Sequence, residues 1–238
     1  MHVAFFLAYL ALFRISYIFQ ISDLRSTPWN PEAGIAVVSG IVLGWSSLPV
    51  IFLASLASKL TNPSILTWGW EIVAAVANAM IFAGSAAALR KFFPSLQTTT
   101  TGSIVLFIIY AAIVTLASAI ARLVIGSLAL NISPVYLINY ATTLSVGNVV
   151  GVLTIVPLFF VASPVSGWLR YFAGFTLFHW ISTLAILLTS FIVFGLEDTD
   201  KFKFFYLVFL PVLVFAIRDG LMGAAYSILL SDTAMIAI

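Results

Sequence analysis

Cysteine and charge are both scarce in this sequence of 238 residues. There is no cysteine, which excludes disulfides, thiol nucleophiles and thiolate metal sites. Only 8% of the residues are charged, whereas a soluble domain carries about 25%. A soluble monomer is therefore excluded, and so is a disordered chain, which needs low hydrophobicity. The net charge of +2 supplies no basic patch, so no nucleic-acid partner is expected.

Residues that carry catalytic chemistry are equally few. The two histidines, His2 and His179, lie far apart in the chain, and no histidine–carboxylate cluster has the spacing of metal ligands. Phosphate-binding loops, the nucleophile elbow and the zinc-protease motif are missing from the sequence. We therefore expect no enzyme activity, no catalytic residue, no metal and no cofactor.

Long apolar runs fill most of the chain, and 63% of its residues are hydrophobic. A helix crosses the hydrocarbon core with about 20 residues, and its backbone polar groups must pair within the segment. The runs lack the alternating polarity of barrel strands. The predicted fold is an all-α, polytopic transmembrane helix bundle with about 7–9 membrane segments. The runs cover residues 2–20, 34–60, 68–89, 103–125, 137–162, 171–194, 204–217 and 221–238.

Two of these regions are short helix pairs with a break that contains glycine. The first pair spans 34–60 and is interrupted at 44–47, and the second spans 204–238 and is interrupted at 218–220. Interrupted helices in two halves of a membrane protein often indicate a repeat with a binding site between the halves. The alternative is that short helices are simply common in bundles.

Lysine and arginine in short loops favour the cytoplasmic side of a membrane. With the N-terminus inside and each short pair counted as two crossings, the acidic loop at 197–200 falls outside, and four basic residues fall inside: Arg90, Lys91, Arg170 and Arg218. Arg25 and Lys59 lie near the outer side, so the rule is only partly obeyed. The predicted location is the bacterial inner membrane, with several crossings.

Four residues could form an amphipathic mouth where the outer ends of the helices converge. They are Trp29, Glu32, Trp70 and Glu71. An acidic group in a membrane segment is a functional candidate, although both glutamates could instead cap helix N-termini. The tryptophans could equally be interface anchors. We predict that these four residues belong to a ligand-binding site.

Polar residues within the apolar runs extend this candidate site. Asn78 and Asn148 are amides in the middle of their segments and could bind a ligand or hydrogen-bond between helices. Arg14 needs protein or water as a neighbour, and we expect an acidic partner for it. Arg122, near its helix end, could extend its side chain to the interface. Arg218 and Asp219 are predicted to relay a signal, the alternative being a polar turn.

Three blocks of sequence, in order, resemble the membrane-associated sensor domain of the first type, the MASE family. The blocks are WNPEAGIA at 29–36, continued by LG at 43–44 and the segment at 49–55; GNVVGVLTIVPL at 147–158; and LPVLVFAIRDGLMGAA at 210–225. Asn148 departs from the family pattern, which has aspartate after the glycine. The resemblance covers nearly the whole chain.

The resemblance implies that residues 1–238 are an integral membrane sensor domain of a bacterial signalling protein. Such a domain would bind an unknown small molecule or protein and relay a change to a cytoplasmic histidine kinase or cyclic-di-GMP output domain. It also implies a homodimer, because such output domains pair. By comparison with the family pattern, we expect the family's last crossing and its output domain to be absent from this sequence. The alternative function is a small secondary transporter or a substrate-binding membrane subunit.

Overall fold

The computed structural model describes residues 1–16, 29–61, 66–92, 101–130, 134–162, 170–194 and 205–237. Within these ranges the secondary structure is helical and contains no strand, which confirms the all-α prediction. The acidic loop predicted at 197–200 lies outside the described residues. The helices are α1 (His2–Ser16), α2 (Pro31–Leu43), α3 (Leu48–Thr61), α4 (Trp68–Phe92), α5 (Thr101–Ala129), α6 (Pro134–Ala162), α7 (Leu177–Phe194) and α8 (Phe209–Ala237).

Several of these helices suit a lipid environment. Four stretches of the described chain are long and apolar enough to cross a membrane: Pro31–Leu60, Trp68–Arg90, Val105–Ala129 and Val135–Phe159. Shorter apolar helices occur at His2–Ser16 and Leu177–Val193. The outer face of α7 is exposed and apolar at helical spacing, through Leu177, Ile181, Leu184, Leu188 and Phe191. The protein is therefore a helical membrane bundle, and the number of crossings stays a prediction.

The chain divides into two compact units, Met1–Val156 and Pro157–Ile238. The boundary falls inside α6 at Pro157, a residue that has no N–H for the helix ladder. Each unit has its own helix packing and is described by itself.

In the first unit, helices pack around α4. Both α2 and α3 contact α4, α1 contacts α2 and α3, and α5 contacts α4. Most buried side chains of α4 are alanines, which lie beside Phe82 and Leu89: Ala74, Ala75, Ala79, Ala83 and Ala86. Small residues let helix backbones approach closely, and close packing is what holds helices together in lipid.

The predicted break in the first short pair is present. A 3₁₀ turn at Gly44–Ser47 separates α2 from α3. The first arm begins at Pro31 rather than at Gly34, because proline suits the first turn of a helix. Near the turn, Arg90 at the end of α4 donates to the carbonyl of Val42 at 3.3 Å. The two arms therefore form a hairpin whose turn lies beside the C-terminal end of α4.

In the second unit, α7 packs against α8. The predicted segment 171–194 is not one helix, because a turn at 174–176 separates helical residues 170–173 from α7. The reason is local: the Thr176 N–H donates to Nδ1 of His179 at 2.9 Å, and the Thr176 carbonyl accepts from the His179 N–H. This exchange resembles a capping box and begins α7 at Leu177.

The second predicted break is a kink at Gly220 inside α8. Gly220 has φ 63° and ψ −139°, and Gly44 has φ 63° and ψ −140°. Residues with a side chain rarely adopt this conformation, and forcing one into it costs about 1–3 kcal/mol. The two interrupted segments thus share one backbone geometry at their glycines.

Replacing Gly220 by alanine should lower the free energy of unfolding by about 1–3 kcal/mol. No atom lies within 4 Å of the added Cβ, so the cost would come from the backbone alone. Thermal unfolding in detergent micelles, monitored by circular dichroism, measures this loss of stability. Gly69→Ala is the control, because its Cβ also meets open space and its φ is not positive. Equal midpoints for the two variants would contradict the expected strain.

Candidate functional site

A polar cavity of about 50 Å³ lies inside the first unit. Helices α1 and α3–α6, together with the first turn of α2, contribute to its wall. The charged residues of the wall are Glu32, Lys59 and Arg122, and its amides are Asn30, Asn78 and Asn148. Hydroxyl groups complete the polar lining, from Tyr9, Ser55, Ser58, Ser118 and Tyr140. Polar groups are energetically costly within apolar membrane helices, so a cluster of them indicates a functional site.

The cavity lies deep in the bundle. Asn148 is at the centre of the 29-residue helix α6, and Asn78 is near the middle of the 25-residue helix α4. Of the four residues predicted to form an amphipathic mouth, only Glu32 lines this cavity. The physical reason is that α2 begins at Pro31, against the middle of α6, so its first turn lies in the interior.

The start of α2 is fixed by backbone contact with α6. The Asn30 N–H donates to the Gly147 carbonyl at 3.0 Å, and Asn30 Nδ2 donates to Oδ1 of Asn148 at 3.0 Å. A Cβ on Gly151 would collide with the carbonyl of Asn30. The small residues Gly147 and Gly151 thus let α2 pack directly onto α6.

A chain of hydrogen bonds crosses the cavity wall from α1 to α5. Tyr9 Oη lies 3.2 Å from Ser55 Oγ, and Asn78 Nδ2 donates to the same Ser55 oxygen at 3.4 Å. Ser118 Oγ donates to Oδ1 of Asn78 at 3.0 Å. These bonds join α1, α3, α4 and α5 through one amide. Asn78 is therefore both packing contact and cavity wall.

Arg122 forms an ion pair with Glu71. Its Nη1 lies 3.6 Å from Oε2 of Glu71, and the two side chains are 15% and 5% exposed. Arg122 thus does not extend to an interface, and Glu71 is buried in the bundle although it lies in the first turn of α4. Glu71 does not itself line the cavity; it stands behind Arg122. Its Oε1 accepts no hydrogen bond from the described residues.

Glu32 and Lys59 face the cavity with opposite charges. Oε2 of Glu32 is buried and accepts no hydrogen bond from the part of the chain that the structure describes. The Lys59 ammonium lies 5.8 Å from the centre of the Phe13 ring, a cation–π contact. Among the described residues, Lys59 and Glu32 form no ion pair with each other.

The structure brings together only part of the site predicted from sequence. Glu32, Asn78 and Asn148 line the cavity. Trp29 is buried next to the start of α2 but does not line it. Trp70 is half-buried in the first turn of α4 and is not part of the wall.

Arg14 does not belong to the cavity. It is exposed in the last turn of α1, where a cation is favoured by the helix dipole. Among the described residues it forms no ion pair, so the expected acidic partner is not found. Its place near a helix end removes the need for one.

Sequence reasoning missed most of the cavity wall. Lys59 was assigned only to the outer side, and Ser55, Ser58 and Ser118 were not singled out. One signal was present: Ser55, Ser58 and Lys59 are spaced three and four residues apart and so share one face of α3. Tyr9 and Tyr140 carry no comparable signal, because single tyrosines are common in apolar helices.

The predicted relay residues lie in the second unit. Asp219 Oδ2 accepts a hydrogen bond from Tyr171 Oη at 2.9 Å and lies 3.1 Å from Nε2 of His179. Because Nδ1 of His179 accepts from the backbone, its proton is on Nε2, which donates to Asp219. Arg218 lies over the Phe178 ring at 3.8 Å. Both residues therefore connect the kink of α8 to the region where α7 begins.

Comparison with known proteins places the chain in one family. The MASE1 family model matches residues 1–238, the whole sequence. No curated protein and no solved structure matches the chain. The match agrees with the three sequence blocks and with the all-α membrane bundle. This protein therefore belongs to MASE1, a family of membrane-associated sensory domains.

Proposed function

We propose that this sensory input domain binds a small polar ligand in the cavity of the first unit and relays the change to a cytoplasmic output domain. One observation carries the proposal: charged and amide side chains surround a cavity deep among apolar helices. Polar groups are costly in that environment, and they mark ligand sites in membrane proteins. The domain binds and relays in this proposal, without catalysis.

The wall offers a route for coupling. A ligand shifts a conformational equilibrium only if it binds one arrangement more tightly than another. The bonds from Tyr9 through Ser55 and Asn78 to Ser118 join four helices. A ligand that replaces one partner in these hydrogen bonds changes which helix arrangement is favoured. Arg218 and Asp219 would act later, at the kink of α8.

The finer assignments rest on the family and on charge. We propose a histidine kinase or a cyclic-di-GMP enzyme as the output domain, a bacterial inner membrane as the location, and a homodimer as the signalling state. Basic residues favour a cytoplasmic side at Arg90 and Arg218. The lipid bilayer is the surrounding partner, as the apolar outer face of α7 requires.

A reporter fusion tests the signalling proposal. The chain is fused to a diguanylate cyclase, and cyclic-di-GMP is measured in cells over a range of growth media. Asn148→Leu should weaken the response to the activating medium about tenfold, because the buried Asn30 amide loses its acceptor. Asn139→Leu, on the exposed side of the same helix, should respond as the unmodified fusion does. Identical output from Asn148→Leu and the unmodified fusion in every medium would refute the proposal.

A secondary transporter is the second candidate. Two helices are interrupted at glycines of nearly equal dihedral angles, and α2 begins at the middle of α6. Discontinuous helices of this kind form transport sites near the midplane. Accumulation of labelled polar metabolites in liposomes that contain only this chain would favour transport. Binding without accumulation would favour sensing.

A further inference from the structure

The cavity holds two opposite charges that do not meet. Glu32 is buried, and its Oε2 accepts no hydrogen bond from the described residues. Lys59 contacts the Phe13 ring but forms no ion pair with a described carboxylate. Both line the same cavity. A buried charge is costly unless it is paired, so a group that bridges buried Glu32 and half-buried Lys59 would be stabilised in this cavity.

The positive side of the cavity is stronger than Lys59 alone. Arg122 also lines the wall, so two cations face the same cavity. Two neighbouring cations favour an anion between them. A carboxylate suits this side, because it can accept hydrogen bonds from an ammonium and a guanidinium at once.

The negative side requires a donor. Glu32 offers an unsatisfied carboxylate oxygen, and a primary ammonium group, with three N–H donors, matches it in charge and in hydrogen bonding. An anion alone would leave Glu32 unpaired, and a cation alone would leave Lys59 unpaired. Only a molecule that carries both an ammonium and a carboxylate pairs with Glu32 and with Lys59.

We propose that the cavity binds a small zwitterion with an ammonium and a carboxylate on a short backbone, of which a free α-amino acid is the simplest. The ammonium donates to Glu32, and the carboxylate accepts from Lys59 and Arg122. This ligand class rests on the proposed sensory function. The cavity volume of about 50 Å³ has room for about four water-sized groups, so glycine is the matching probe.

Thermal unfolding of the full chain in nanodiscs of phosphatidylglycerol tests the ligand class. Glycine, acetate and methylamine are added separately at the same concentrations. Glycine should raise the unfolding midpoint by about 5–10 °C at a hundredfold excess over its Kd. Acetate and methylamine should leave it within about 1 °C, because each satisfies only one wall.

Variants assign the shift to the two charges. Glu32→Gln and Lys59→Met should each abolish the glycine shift. Arg90→Met removes a cation beside the hairpin turn and should retain the shift. Glu32→Asp keeps the charge and serves as a second variant if Glu32→Gln does not fold; it should reduce the shift at least about threefold through its shorter reach.

The outcomes separate ligand class from function. A shift of equal size with acetate, or no shift with glycine, would overturn the zwitterion. An ethanolamine headgroup also carries an ammonium and an anion. A midpoint that rises in phosphatidylethanolamine nanodiscs, without any response to glycine, would assign the cavity to lipid and overturn the soluble ligand. The reporter fusion with Asn148→Leu tests signalling in a separate experiment. The zwitterion proposal and the signalling proposal can therefore fail independently of each other.

Discussion

Replacing Arg122 by methionine is expected to lower the free energy of unfolding by about 3–5 kcal/mol, because it leaves the buried Glu71 carboxylate without its counter-charge. The side chain of Glu71 is only 5% exposed. Its Oε1 already accepts no hydrogen bond from the described residues. The remaining negative charge would have to draw in water or a proton, and both disrupt the packing of α4 against α5.

Chemical denaturation in mixed micelles measures this loss. The double variant Glu71→Leu with Arg122→Met is the matched control, since replacing a buried pair by apolar groups is often close to neutral. It should recover most of the stability lost in Arg122→Met. If the single and double variants unfold at the same denaturant concentration, the stabilising role of the pair is wrong.

Replacing Gly151 by alanine is also expected to lower the free energy of unfolding strongly. The new Cβ would overlap the carbonyl of Asn30 and crowd the nitrogen of Pro31. Both atoms belong to the backbone, so no side-chain rotation relieves the contact. We expect a loss of about 3 kcal/mol, the upper end for overpacked interiors, together with a displaced α2.

Gly126→Ala provides the comparison for this variant. Its Cβ would meet only Cδ2 of Leu137, at 3.1 Å, the far end of a flexible side chain. Thermal unfolding should show a large decrease for Gly151→Ala and a small one for Gly126→Ala. Glycine binding should also be lost in Gly151→Ala, because Glu32 moves with α2. Equal decreases for both variants would mean that the contact between α2 and α6 is not tight.

The sequence predicts the helices and their interruptions because each depends on neighbouring residues. A run of apolar residues defines a segment, and Gly44 and Gly220 mark the breaks by a conformation that other residues avoid. The interruption at 174–176 was missed, because it depends on His179 bonding to the backbone of Thr176. Histidine is not a residue that signals a helix start.

The cavity was only partly predictable, because its residues come from helices that are distant in sequence. Glu71 was recognised as an acidic group in a membrane segment, whereas Arg122 was expected to reach an interface, because nothing in the sequence pairs α4 with α5 at that depth. Trp70 and Glu71 are neighbours, and one helical step places Glu71 inward while Trp70 stays at the edge. The depth of the site depends on where α2 begins, and hydropathy does not show that.

The short length of α2 places the polar cavity closer to one side of the hydrocarbon layer than to the other. At about 1.5 Å per residue, its 13 residues extend about 20 Å from the cavity to the hairpin turn beside Arg90. The hydrocarbon layer is about 30 Å thick, which leaves about a third of it on the Trp68 side. With Arg90 toward the cytoplasm, a solute outside the cell faces the thinner insulating layer.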